Sequence, residues 1–221
     1  MKFLLLFFST FLFAKEIYVA AAANTAFVMP KIIKAFEKKY HQKVKLILSS
    51  SGKLTAQILR KAPYDLFLSA DMKYPQKIYK LHYSLTPPKV YAKGKIIVFS
   101  KKRIASLKEL ENKEVAIASP RVAPYGKAAI EAFKNANVTP KFVYAPTVSG
   151  VGAYVQNGVF AGVVAKSMED RLKGFFYEIP TKLYHPIKQG AVLLRKDGKE
   201  FFDFLFSKEA KKIFKEAGYI E

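Results

Sequence analysis

The chain of 221 residues has no cysteine. This absence excludes catalysis by a thiol, disulfide bonds, cysteine ligands for a metal, and a lipid anchor on an N-terminal cysteine. Histidine is also scarce, and His41, His82 and His185 are too far apart in the sequence to have the spacing of a metal site. We therefore expect no resident metal ion and no cofactor.

Long apolar runs are missing except at the N-terminus. Met1 and Lys2 precede an apolar stretch from Phe3 to Phe13, and Ala14 then stands before charged residues. This pattern is typical of a secretory signal peptide, here residues 1–14, and it predicts cleavage after Ala14. The run is too short to cross a bilayer, and no later segment is long enough. An exported chain without an anchor needs an outer barrier to retain it, so we expect a periplasmic protein.

Acidic residues are few, with 17 Asp and Glu against 38 Lys and Arg, which gives a net charge of +21. A charge of this size is compatible with nucleic acid, an anionic membrane or an anionic ligand as the partner. The lysines are spread along the chain, and no basic stripe alternates with stacking aromatic residues, so we expect no nucleic-acid partner. Two interpretations stay open, namely an ordinary solvated surface and long-range attraction of an anion.

Short β-rich runs alternate with helical patterns along the chain. The first series predicts strands at 17–21, 44–48 and 65–69 and helices at 30–40, 54–60 and 74–81. The second predicts strands at 95–99, 114–118, 142–144 and 161–165 and helices at 126–135, 151–156 and 167–172. A strand at 191–194 and helices at 199–206 and 208–217 follow. Such alternation predicts mainly parallel sheets with helices on both faces.

Two α/β series in succession predict two doubly wound α/β domains. The last two predicted helices have no strands of their own, so we expect them to return to the first domain. This places domain I at residues 15–93 plus 188–221 and domain II at residues 94–187, with the chain crossing near 92–94 and 187–190.

Four predicted strand-to-helix junctions consist of small polar residues and glycine. They are residues 21–24, 49–53, 123–126 and 147–150. Ligands of open α/β sheets bind beyond the carboxyl ends of the strands, where helix starts present unpaired backbone N–H groups. Several such starts would form a cage of hydrogen-bond donors suited to a dianion. Serine and asparagine are equally common as plain helix caps, and glycine and proline as turn residues, so spacing alone leaves both interpretations open.

Several segments carry a resemblance to a known family. They are Ile17–Asn24, Ser50–Ile58, Ala62–Asp71, Ala123–Ala129, Gly162–Ala165, His185–Leu194 and the two predicted C-terminal helices. In this order, and over essentially the whole mature chain, they resemble the periplasmic molybdate-binding proteins of ABC importers. The resemblance implies a hinged, two-domain fold of the type II periplasmic binding class with a ligand site in the cleft. It implies capture of molybdate or tungstate for a membrane permease by a protein that is not an enzyme. We expect a monomer.

The resemblance also implies the residues of the site. The first contact comes from Asn24 with the Ala23 backbone beside it, and the second from Ser51. The third and fourth are the backbone N–H groups of Tyr125 and Val148. One position departs from part of the family: some members place a tyrosine hydroxyl on the ligand from the strand end that is Ala165 here.

The chemistry of the predicted cage bears on which anion it selects. Molybdate, tungstate and sulfate carry no proton at neutral pH, whereas hydrogen phosphate carries one that would stay unpaired, at a cost of about 1–3 kcal/mol. Asp65 and Asp71 would repel an anion, and we interpret them as structural. The alternative is the same fold with another ligand, such as sulfate, phosphate, a ferric complex or a small organic anion. An enzyme would need a base or nucleophile in the cleft, where the motif residues are neutral donors.

Overall fold

The structure is a computed structural model that describes residues 16–220. The predicted signal peptide, residues 1–14, lies outside the described residues. Within residues 16–220, none of the helices combines the length and the apolarity that a membrane crossing requires.

The described residues form two five-stranded sheets flanked by helices. The strands are β1 (Ile17–Ala22), β2 (Val44–Ser49), β3 (Leu66–Leu68), β4 (Lys89–Gly94), β5 (Ile96–Ser100), β6 (Glu114–Ala118), β7 (Lys141–Ala145), β8 (Ala161–Ala165), β9 (Phe175–Glu178) and β10 (Ile187–Leu193). The helices are α1 (Met29–Tyr40), α2 (Ser51–Leu59), α3 (Lys73–Lys80), α4 (Pro124–Asn135), α5 (Val151–Gln156), α6 (Lys199–Phe204) and α7 (Lys208–Glu216).

Each sheet is mixed, so the prediction of mainly parallel sheets is wrong. The first sheet has the order β2-β1-β3-β10-β4, in which β1 is parallel to β2 and β3 while β10 is antiparallel to β3 and β4. The second has the order β7-β6-β8-β5-β9, in which β6 is parallel to β7 and β8 while β5 is antiparallel to β8 and β9. In the first sheet, β4 carries the chain out towards the second sheet and β10 carries it back beside β4. These two strands therefore run in opposite directions.

Two strands and one turn differ from the sequence-based prediction. The strands β4 and β9 were not predicted, and both lie at the edge of a sheet. An edge strand pairs on one side only and is more exposed, so its sequence carries a weaker hydrophobic pattern. The helix predicted at 167–172 is a 3-10 helix spanning Lys166–Arg171. The remaining predicted elements are present, with ends shifted by a few residues.

The two sheets have separate hydrophobic cores. Phe36 of α1 packs against two rings of α6, with centroids 4.9 Å from Phe201 and 5.6 Å from Phe204. Phe214 of α7 belongs to the same buried cluster, together with Ile17 of β1. The final helices therefore return to the first sheet, as the sequence predicts.

Candidate functional site

A small cavity lies between the two sheets, where the carboxyl ends of several strands meet. Its lining comes from the segments that follow β1, β2 and β3, from the start of α4 and from the residues after β7: Ala22, Ala23, Asn24, Ser50, Ser51, Ala70, Ala123, Pro124, Tyr125, Thr147 and Val148. The cavity volume is about 10 Å³, which is about the room that one water molecule needs. This is the position at which open α/β sheets bind ligands.

All five residues predicted for the site line this one cavity. Ala23 and Asn24 follow β1, Ser51 is the first residue of α2, Tyr125 lies in the first turn of α4, and Val148 begins the turn before α5. Sequence analysis thus grouped residues that the fold brings together from both sheets. That they contact a ligand stays a prediction. Of the other lining residues, all but Ala70 lie in the four junctions that the sequence analysis singled out.

Ser51 has a hydroxyl that is oriented by the backbone. Its Oγ accepts a hydrogen bond from the Ala70 N–H at 3.0 Å, and the residue is buried. Since a hydroxyl has one proton to donate, the Ser51 proton stays free for a ligand. The adjacent Ser50 is also buried, and its Oγ has no hydrogen-bond partner among the described residues. Both hydroxyls therefore have unused hydrogen-bonding capacity beside the cavity.

The start of α4 presents one free backbone donor. Pro124 occupies the first turn and has no N–H, while the Gly126 N–H is bonded to the Ala123 carbonyl at 3.0 Å. None of the described residues accepts the N–H of Tyr125, which lies at the positive end of the helix. Gly126 allows this arrangement because a Cβ atom there would lie 2.0 Å from the Ala118 carbonyl oxygen.

A second free backbone donor lies at the start of the turn before α5. Thr147 closes this turn, since its Oγ1 accepts the Gly150 N–H at 3.3 Å. Val148 follows Thr147 and is buried. No described residue accepts the Val148 N–H, so this donor is also available to the cavity.

Asn24 is the centre of a buried polar network. Its Nδ2 lies 3.2 Å from Tyr125 Oη, 3.0 Å from Gln189 Oε1 and 3.1 Å from Tyr219 Oη. Its backbone carbonyl accepts hydrogen bonds from Tyr219 Oη at 3.0 Å and from Ser167 Oγ at 3.1 Å. Its Oδ1 is buried and has no partner among the described residues. The network joins residues of both sheets, and Gln189 and Tyr219 were not predicted from the sequence.

The tyrosines of this network remain neutral at physiological pH. Burial raises the pKa of Tyr219 to about 12. Burial also raises the pKa values of Tyr91 and Tyr125 well above their usual range. Because burial disfavours the charged phenolate, these hydroxyls keep their protons.

Asp65 and Asp71 accept hydrogen bonds from backbone N–H groups, and neither lines the cavity. Asp65 accepts the Tyr18 N–H at 2.8 Å through Oδ2. Asp71 accepts the Tyr74 N–H at 3.2 Å in the first turn of α3, and burial raises the pKa of its carboxyl group. These contacts agree with the structural roles that the sequence analysis gave to both residues.

No charged side chain is present among the described residues that line the cavity. Lys166 forms ion pairs with Glu169 at 2.6 Å and Glu178 at 2.7 Å; burial lowers its pKa, but the two carboxylates produce a net increase. Ala165, at the end of β8, is buried and does not line the cavity. The cavity is therefore surrounded by neutral donors and apolar groups.

The family model of the bacterial extracellular solute-binding proteins matches residues 17–220 of the sequence. The chain belongs to this family. It is a family of solute-binding proteins and not of enzymes. The chain is 33% identical over 224 residues to a molybdate-binding protein, ModA, of Rhodobacter capsulatus, and the match covers 94% of this chain and 89% of that protein.

Two solved structures of solute-binding proteins resemble the whole described fold. The periplasmic molybdate-binding protein of Azotobacter vinelandii matches with a TM-score of 0.86 at 26% identity, over 93% of this chain and 99% of that one. The substrate-binding domain of a putative molybdenum ABC transporter from Clostridium difficile matches with a TM-score of 0.70 at 28% identity, over 93% and 99%. The predicted type II periplasmic binding fold is therefore confirmed.

Proposed function

We propose that this protein binds molybdate or tungstate in the cavity between its two sheets and delivers the anion to the permease of an ABC importer. The observation that carries the proposal is the convergence of neutral hydrogen-bond donors from both sheets on one small cavity without a charged lining residue. The similarity to proteins described as molybdate-binding supports the choice of anion.

The proposed contacts fit the chemistry of a fully ionised tetrahedral oxyanion. Each of its oxygens only accepts hydrogen bonds, and the cavity offers the Ser51 hydroxyl and the free N–H groups of Tyr125 and Val148. The Asn24 side chain and the Ala23 backbone complete the proposed set. Fixed dipoles of this kind stabilise negative charge without a counter-ion, because they need no reorganisation when the ligand arrives.

We further propose that the protein consists of domain I, residues 15–93 plus 188–221, and domain II, residues 94–187, and that the two close on the anion. Contacts across the boundary support a closed arrangement. The Gly52 N–H donates to the Val122 carbonyl at 3.2 Å, and Tyr74 Oη donates to the Arg121 carbonyl at 3.5 Å. Ligand binding would then shift the population towards the closed state.

For the cellular setting, we propose export with cleavage near Ala14 and action in the periplasm as a monomer. The N-terminal pattern of the sequence and the family of extracellular solute-binding proteins support this proposal. N-terminal sequencing of the protein from a periplasmic extract would identify the first mature residue.

The decisive experiment is a titration of the purified mature protein with molybdate, tungstate, sulfate and phosphate by isothermal calorimetry. We expect saturable binding of molybdate or tungstate and much weaker binding of the other two. A matching rise in melting temperature should accompany binding, since a ligand that binds only the folded state stabilises it. Binding of sulfate or phosphate alone would contradict the proposed anion, and binding of none would contradict the proposed function.

A further inference from the structure

We propose that Gly52 is a positioning residue for closure: because it has no side chain, the lobes of the two sheets can close until their backbones touch beside the cavity. The inference rests on the proposed function, since closure matters only if an anion is held between the lobes. Gly52 belongs to α2, which follows β2 of the first sheet, and its partner Val122 follows β6 of the second sheet. We call the contact between these two residues the closure contact.

The closure contact joins backbone to backbone. The Gly52 N–H donates to the Val122 carbonyl at 3.2 Å. Gly52 lies in the first turn of α2, where backbone N–H groups have no acceptor within the helix. The bond therefore uses a donor that α2 leaves free, and it is lost when the two lobes separate.

The closure contact lies directly beside the cavity. Gly52 is next in the sequence to Ser51, and Val122 is next to Ala123. Ser51 and Ala123 line the cavity, whereas Gly52 and Val122 do not. The distance between the two backbones at this point thus limits how closely Ser51 can approach the start of α4. The contact acts on the site through these neighbours and not by touching the anion.

The closure contact is too close for a side chain at position 52. A Cβ atom there would lie 3.1 Å from Val122 Cβ, 3.2 Å from Val122 Cα and 2.9 Å from Tyr74 Oη. The Tyr74 hydroxyl is the end of a side chain that can turn away. Val122 Cα is backbone, so relieving the contact there requires one of the two segments to move by a few tenths of an ångström.

The turn that carries Val122 is fixed within its own lobe. The Val122 and Ala123 N–H groups both donate to the Ser119 carbonyl, at 3.2 Å and 2.9 Å. The Ser119 N–H in turn donates at 2.8 Å to the carbonyl of Ala145, the last residue of β7. Moving this turn away from α2 on its own would strain these bonds.

The start of α2 is fixed in the other lobe. The Leu54 N–H donates to the Ser50 carbonyl at 3.0 Å, and Ser51 Oγ accepts the Ala70 N–H at 3.0 Å. With both segments fixed, the easiest movement is a rotation of one lobe away from the other. A side chain at position 52 would therefore oppose closure and leave each lobe intact.

The Gly52→Ala variant tests the inference by calorimetry, stopped-flow fluorescence and thermal unfolding. We expect its molybdate affinity to fall by about tenfold, because overpacking a close contact is destabilising. The loss should lie in a faster dissociation, since the closed state retains the anion, while the association rate should change little. Without an anion the melting temperature should not fall, because alanine favours a helix more than glycine does.

Two backgrounds locate the clash. In Val122→Gly, which removes the Cβ atom at 3.1 Å, Gly52→Ala should weaken molybdate binding by about threefold or less, since contacting residues are coupled. In Tyr74→Phe, which removes the hydroxyl at 2.9 Å, the full loss should remain because Val122 is unchanged. A full loss in the Val122→Gly background, or none in the Tyr74→Phe background, would overturn the inference.

The matched control is Gly150→Ala, at another helix start near the cavity. Gly150 precedes α5 and does not line the cavity, and a Cβ atom there would lie 3.5 Å from Thr147 Oγ1, an ordinary contact distance. We expect this variant to bind molybdate about as tightly as the wild type.

The outcomes separate the inference from the proposed function. An equal loss of affinity in Gly150→Ala and Gly52→Ala, or a lower melting temperature of anion-free Gly52→Ala, would place the effect within one lobe. Either result would overturn the role of Gly52 in closure and leave the proposed function in place. A wild-type protein that binds none of molybdate, tungstate, sulfate and phosphate would overturn both.

An exchange measurement on the wild-type protein covers the case in which Gly52→Ala does not fold. In the ¹⁵N-labelled protein, molybdate should slow exchange of the Gly52 backbone N–H with water, because closure supplies the Val122 carbonyl as its acceptor. The Leu54 N–H, which bonds to Ser50 within its own lobe at 3.0 Å, should keep its exchange rate. A Gly52 exchange rate that bound molybdate leaves unchanged would overturn the inference.

Discussion

At the scale of single residues, the Ser51 hydroxyl is held by the Ala70 N–H and keeps its own proton to donate. Replacing it in Ser51→Ala removes one proposed charge-assisted hydrogen bond. We expect molybdate affinity to fall by about 10- to 100-fold, as calorimetry would measure. The melting temperature should also fall, because the buried Ala70 N–H loses its acceptor.

A matched variant separates these two effects. Thr55→Val removes a buried hydroxyl of the same helix, one that donates to the Ser51 carbonyl at 2.9 Å and does not line the cavity. It should lower the melting temperature and leave the affinity close to that of the wild type. Equal affinities of Ser51→Ala and Thr55→Val would remove Ser51 from the site.

The same scale shows why sequence reasoning found some residues of the cavity and missed others. Ser51 and Tyr125 stand at helix starts, where a short motif with glycine or proline indicates both the turn and the free donors. Gln189, Tyr91 and Tyr219 have no such motif. They reach Asn24 or each other over separations of 98 to 195 positions, so only the folded chain brings them together.

At the scale of elements, the central strands β1 and β8, which are buried on both faces, were predicted, and so were the edge strands β2 and β7. The edge strand β4 was missed, although it carries Tyr91 and ends at Gly94, with a single residue between it and the start of β5. In β4, Tyr91 is also the extra residue of a bulge, which has no signature in the sequence because it depends on the pairing with β10. The hydrophobic pattern thus predicted most strands and helices. The crossing from β4 to β5 beside the site depends instead on the pairing of β4 with β10, which is distant in the sequence.

Gly94 at this crossing gives a prediction for the junction of β4 and β5. A Cβ atom there would lie 2.0 Å from Tyr125 Oη and 2.7 Å from Gln189 Nε2. Gly94→Ala should therefore displace the Tyr125 hydroxyl from the network and weaken molybdate binding by at least about tenfold, since one or more buried hydrogen bonds are lost. Calorimetry and thermal unfolding, measured together, test this. A folded variant with wild-type affinity would show that the contact between Tyr125 and the crossing has no part in binding.

At the scale of the whole molecule, the chain carries a net charge of +21, whereas none of the described residues that line the cavity is charged. Such a charge attracts an anion over a distance but supplies no contact, so it should act on the association rate and not on the dissociation rate. The range of the attraction shrinks from about 30 Å at 0.01 M salt to a few ångströms near 1 M.

The association rate should therefore fall several-fold between about 0.01 M and about 0.5 M salt, while the dissociation rate stays nearly constant. Stopped-flow measurements of tyrosine fluorescence can follow both rates, since the chain has 13 tyrosines and no tryptophan. A chloride salt is suitable, because the donor cage is proposed to bind tetrahedral oxyanions. An association rate that does not depend on salt would favour the other interpretation of the charge, an ordinary solvated surface. A dissociation rate that rises with salt would place a cation in direct contact with the ligand, against the neutral cavity described above.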